Sequence, residues 1–95
     1  MAKEMQELEE KSKHEVASRP QLIDLVRSQD FRCSLSGVVL LPDIATLDHK
    51  IPVAEGGGHS IENLQVVHSA INRMKGTMSC DEFVRWCKLV AMWTS

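Results

Sequence analysis

The chain has 95 residues, 43% hydrophobic and 25% charged, with a formal net charge of −2. That length suits one small domain with a modest core, and no apolar run approaches the roughly 18 residues of a membrane span. The charge balance leaves little basic surface for neutralising phosphates, and three cysteines (Cys33, Cys80, Cys87) without paired spacing argue against a disulfide framework.

Residues 2–17 are helix-prone and mostly polar, with Met5, Leu8 and Val16 as the apolar anchors. Residues 1–18 are therefore expected to form a polar helix or tail. Residues 1–15 carry three lysines against five glutamates, and the rest of the chain is balanced at eight basic and eight acidic groups. The N-terminus is charged from residue 3 and lacks an apolar signal core. With the unpaired cysteines, this places the chain in a reducing, cytoplasmic compartment with no membrane partner.

Pro20 suits the first turn of a helix ending near Gln29, with Leu22, Ile23, Leu25 and Val26 as its buried stripe. Phe31–Cys33 and Val38–Leu41, separated by Ser34-Leu35-Ser36-Gly37, read as a hairpin. Pro42-Asp43 breaks the run, and Ile44 to His49 reads as a strand. Pro52 and Gly56-Gly57-Gly58 predict a loop. Leu64 to Val67 predicts a short strand, and His68 to Lys75 a helix stopped by Gly76. Ser79 with Glu82 is a capping box opening the last helix. There Phe83, Trp86, Cys87, Val90 and Trp93 fall near one face, which predicts a core stripe. The expected fold class is α+β.

The chemistry concentrates in Leu47–Gly76, which joins Asp48-His49, a glycine run, Asn63 and an Asn72-x-x-Lys75 pattern. Phosphodiester hydrolysis needs an activated water and a cation that holds phosphate and leaving oxygen. A histidine is a suitable base near neutral pH. A hard cation such as Mg²⁺ prefers oxygen ligands, which an Asp carboxylate and an Asn amide supply. Asp48 and His49 are neighbours, so on a regular strand they face opposite ways. Both serve one phosphate only if the chain leaves strand geometry there.

These elements resemble the HNH endonuclease family, in the order Asp48-His49, Gly56-Gly57-Gly58, Asn63-Leu64-Gln65, then Asn72 and Lys75. The intervals of 14 residues from His49 to Asn63 and 9 from Asn63 to Asn72 fit its pattern. The resemblance implies a ββα-metal (His-Me finger) core over 44–76, within a nuclease domain of 19–95 with flanking helices. It implies DNA as partner and Mg²⁺, Mn²⁺ or another divalent cation as cofactor. Asp48 is then a metal ligand, His49 the general base, and Asn63 the residue that orients the finger loop and the His49 backbone. Asn72, in place of the family's last His, is the second metal ligand, an HNN-type variant. Lys50, His59, Arg73 and Lys75 are the candidate DNA contacts, with helix capping the alternative for Lys75 and a solvated loop position that for His59.

Many relatives brace the finger with zinc held by two Cys-x-x-Cys pairs. Here the corresponding positions are Cys33 with Ser36 and His68 with Ile71. Four ligands are not present, so structural zinc is not expected, and the Trp86–Trp93 helix is the candidate replacement core. The activity implied is hydrolysis leaving a 5′-phosphate and a 3′-hydroxyl, of low sequence specificity, by nicking or double-strand cleavage, from a monomer or weak homodimer. The alternatives are a non-catalytic nucleic-acid-binding module and a phage or mobile-element assembly module on the same fold.

Overall fold

The computed structural model describes residues 16–95. The expected helix or tail at 1–18 falls almost wholly outside them. Helix α1, Arg19–Ser28, opens on Ser18, whose hydroxyl accepts from the Gln21 N–H while the Gln21 side chain accepts from the Ser18 N–H. This reciprocal pair satisfies two donors that a helix start leaves unmet, with Pro20 in the first turn as expected. Beyond α1, Asp30 and Phe31 both take left-handed φ of 55°. The predicted hairpin at 31–41 reduces to one bridge, Arg32 with Val39.

Strand β1, Ala45–His49, pairs antiparallel with β2, Leu64–His68, from Ala45 opposite His68 to His49 opposite Leu64. Two short single-turn helices, Val53–Glu55 and Ile61–Asn63, lie between them. Helix α2, Ser69–Lys75, follows β2 directly and returns alongside β1. This is the expected α+β arrangement, a ββα unit flanked by α1 and by α3, Cys80–Thr94. Leu64, Gln65, Val66 and Val67 are all buried. Both faces of β2 are covered, so its sequence lacks the alternation of a half-exposed strand.

The core joins Cys33, Leu40, Val66 and Val67, with Leu25, Val26, Leu35, Ala45 and Ile71 packed against them. Gln29 seals the outer edge of β2. Its amide donates to the Val66 carbonyl and accepts from the Val66 N–H at 2.8 and 2.9 Å, as a neighbouring strand would.

The predicted core stripe of α3 is corrected. Ser79 does cap this helix, accepting from the Glu82 N–H. Yet of the stripe only Phe83 is buried, while Trp86 is 51% exposed, Val90 61% and Trp93 91%, and Cys87 is also exposed. Helical spacing shows that one face is apolar; it does not supply a partner for that face. The helix runs 15 residues, and after its first turn the described residues offer it little to pack against.

The four positions matching the two Cys-x-x-Cys pairs illustrate what fills the finger instead. Burial alone raises the Cys33 thiol pKa. Hydrogen bonds from the Ser36 side chain and from the backbone of His68, Leu35 and Ser36 outweigh it and hold the thiol below its ordinary value. Ile71 packs into the same cluster as Cys33. The His68 ring turns away and accepts from the Ala70 N–H, capping α2. Packing at this place comes from α1, Leu35 and Ile71, not from the tryptophan helix.

Candidate functional site

The ladder continues through His49, so the chain does not leave strand geometry at the Asp48-His49 pair. Successive side chains therefore leave opposite faces of β1. Asp48 points to the α2 side and is 7% exposed. Lys75, 2% exposed, reaches both of its carboxylate oxygens at 3.2 Å. Gln65, directly opposite on β2, donates to Asp48 Oδ2 at 2.9 Å. The same Gln65 amide donates to Cys80 Sγ at 2.9 Å and accepts from the Ser34 hydroxyl at 2.6 Å. Burial of the Cys80 thiol, with the Asp48 and Asp81 charges, pushes its pKa up against the opposing effects of Gln65 and Lys75.

Lys75 is corrected on both earlier expectations. Its ammonium is buried, so it is not placed to meet a phosphate, and it does not bond the last carbonyls of α2. It spans instead from Asp48 to the His49 carbonyl, at 3.1 Å. Every buried polar side-chain atom among the described residues has a partner, and Lys75 and Gln65 are the reason at this end of the sheet.

Asn63 fastens the loop that follows His49. Its Oδ1 accepts from the Ile51 N–H at 2.9 Å, and its Nδ2 donates to the carbonyls of Ile51 at 3.0 Å and Gly58 at 2.9 Å. Its own carbonyl accepts from the Lys50 N–H at 2.8 Å. The loop passes so close that a Cβ built on Gly57 would lie 1.9 Å from the Ile51 carbonyl oxygen. The expected orientation of the His49 backbone by Asn63 is corrected: the His49 carbonyl is held by Lys75. Asn63→Ala is expected to lower stability by roughly 1–3 kcal/mol, because it removes three hydrogen bonds, each worth a net ~0.5–1.5 kcal/mol. Denaturant unfolding of the two proteins measures it, and an unchanged midpoint contradicts the role.

His49 lies on the other face of β1 and is half-buried. Its Nε2 lies 3.0 Å from Nδ1 of His59, with the rings edge to face at 80°. Leu22, Leu47 and Leu64 line a cavity of about 140 Å³ beside them. Asn72 sits three residues before Lys75 on α2, on the same helical face. It is half-buried, and its amide makes no side-chain hydrogen bond among the described residues. Lys50 and Arg73 are exposed.

No three His, Cys, Asp or Glu side chains among the described residues form a metal-holding group. The candidate oxygen donors are the Asp48 carboxylate, which already bonds Lys75 and Gln65, and the Asn72 amide, one turn before Lys75 on α2. A carboxylate has about four lone-pair positions, and the Lys75 contacts are longer than the ~2.7–2.9 Å of a tight charge-assisted bond. Those donors suit a hard divalent cation sharing Asp48 with Lys75. Such a cation would supply charge neutralisation at a phosphate and polarisation of a water.

Residues 31–77 match the family model described as HNH endonuclease. No curated protein matches the chain.

Proposed function

The chain belongs to the HNH endonuclease family, and from that premise we propose that it hydrolyses DNA phosphodiester bonds with the help of a divalent cation. The observation that carries the reading is the Asn63 staple. It closes the loop after His49 by three side-chain hydrogen bonds, while Lys75 ties the His49 carbonyl to Asp48 at the end of the sheet.

β1 ends at His49, so a phosphodiester lying across that end, and not along either face, meets His49 from one side and Asp48 from the other without the break in strand geometry expected from the sequence. His49 takes the proton of the attacking water. Asp48 and Asn72 would hold the cation, Mg²⁺ or Mn²⁺, which would neutralise charge at the phosphate. Lys75 fixes the Asp48 carboxylate and the His49 carbonyl, so both are in place before DNA arrives; such pre-positioning lowers the barrier by removing motion from the reactive step. Exposed Lys50 and Arg73 meet flanking phosphates. These cations are few, and affinity should fade as salt rises. Phosphate contacts carry no sequence information, which favours low sequence specificity. We assign the nuclease domain to 19–95.

The test is conversion of supercoiled plasmid to nicked or linear form with Mg²⁺ or Mn²⁺ and an EDTA control. The expected result is cleavage that EDTA stops. DNA retained on the protein but uncut with either metal would favour the non-catalytic binding module. Asn72→Ala is expected to weaken metal binding in calorimetry while the fold is kept.

A further inference from the structure

His59 stands where the chain has fixed it from two sides. The Gly58 carbonyl accepts from Asn63 Nδ2 at 2.9 Å, and the His59 carbonyl accepts from the Ala17 N–H at 3.3 Å. The first bond comes from the base of β2 and the second from the segment leading into α1. The imidazole is exposed, and among the described residues its one side-chain partner is His49. The same holds for His49. Leu22, Leu47 and Leu64 border the cavity on which both rings lie, and their side chains offer neither ring a competing hydrogen-bond partner.

A neutral imidazole has one donor and one acceptor nitrogen, and the bond made by one decides what the other can do. We propose that His59 is a positioning residue for His49, accepting the His49 Nε2–H at its own Nδ1 and leaving His49 Nδ1 with the lone pair that takes the proton from water. This rests on His49 being the base. With the roles reversed, His49 Nδ1 would carry hydrogen and could not act. The bond also fixes the rotation of the ring, which at a half-buried strand end is otherwise free to turn. As the water proton arrives on His49 Nδ1, the ring becomes cationic and its Nε2–H bond to neutral His59 strengthens. His59 thus helps most at the moment of charge development. Asn63 then serves His49 at one remove, through the loop that carries His59.

Four variants at one position test the inference. The amide of Asn places a heteroatom where histidine has Nδ1; the longer Gln places it where histidine has Nε2. His59→Ala should reduce kcat on plasmid DNA by roughly 10–100-fold with little change in KM, the usual loss when a partner that orients a reacting group is removed. His59→Asn should restore most of the rate and His59→Gln should not. Nitrogen NMR of the imidazoles, without metal or DNA, should find His49 as the Nε2–H tautomer in the wild type and in His59→Asn, and as a mixture in His59→Ala. A wild-type rate in His59→Ala overturns the proposal. So does an unchanged His49 tautomer in that variant. Rescue by His59→Lys in place of Asn also overturns it and makes His59 a phosphate contact. If His49→Ala itself cleaves normally, the base reading has failed; if His49→Ala is dead and His59→Ala is not, only the present inference has.

Discussion

Lys75→Met is expected to cost about 3–5 kcal/mol of stability, the usual result of removing one partner from a buried ion pair. Asp48 would keep only Gln65 as a partner, at 7% exposure, and the His49 carbonyl would lose its ammonium. In a domain of this size each kcal/mol moves the melting temperature by roughly 4–8 °C. A fall of ~12 °C or more should follow, a large fraction of what a small domain has to lose. The double variant Lys75→Met with Asp48→Asn removes both charges and should recover much of the loss, because no unpaired charge remains buried. Calorimetric melts of the three proteins measure this. If Lys75→Met melts like the wild type but binds DNA less tightly, the lysine is a phosphate contact after all.

His49→Ala is expected to do the opposite: keep the fold and lose the chemistry. Its side chain is half-buried and has one hydrogen-bonded partner among the described residues, His59. The backbone it shares with β1 is held by the ladder and by Lys75. Cleavage should drop roughly 10²–10⁴-fold, the range for a positioned general base. The circular dichroism spectrum and metal binding should hardly change. Single-turnover rates on a nicked-plasmid assay give the comparison. Cleavage at the wild-type rate would remove His49 from the base role.

What the sequence made legible was local. Asp48-His49, the glycine run, Asn63 and Asn72 lie within 25 consecutive positions, so their spacing can be read without knowing which distant segments meet. The loop-fastening part of Asn63's role was legible for that reason. Lys75 was not. A lysine one residue before a helix-stopping glycine looks solvated, and its partner Asp48 is 27 positions away. The Gln29 and Gln65 amides were hidden for the same cause: each completes a contact across more than 15 residues. Ser18 with Gln21 is a local signal too, and it forms the complete reciprocal box, where Ser79 with Glu82 forms only the hydroxyl half.

The α3 stripe failed differently. Periodicity identifies an apolar face, but burial needs a second surface, and no pattern within the helix can report one. The finger's core could be placed by its residue types, since Cys33, Leu40, Val66 and Val67 come from segments already read as turn and strands. That Ile71 joins the cluster containing Cys33 could be seen only in the folded chain.

The chain has two tryptophans and no tyrosine, and both tryptophans lie on α3 at 51% and 91% exposure. Its intrinsic fluorescence is therefore a report on one outlying helix. Emission in the native state should already resemble that of indole in water. The finger, with Asp48, His49 and Asn63, carries no reporter of its own; Phe31 and Phe83 are the remaining aromatic rings apart from histidine. A fluorescence melt can stay flat while the sheet comes apart, or shift when only the end of α3 frays. Far-ultraviolet dichroism and calorimetry see the backbone as a whole, and a tryptophan placed at Val67, 0% exposed, would be too disruptive to substitute for them. The optical signal easiest to collect from this protein is the one least connected to the part that does the chemistry.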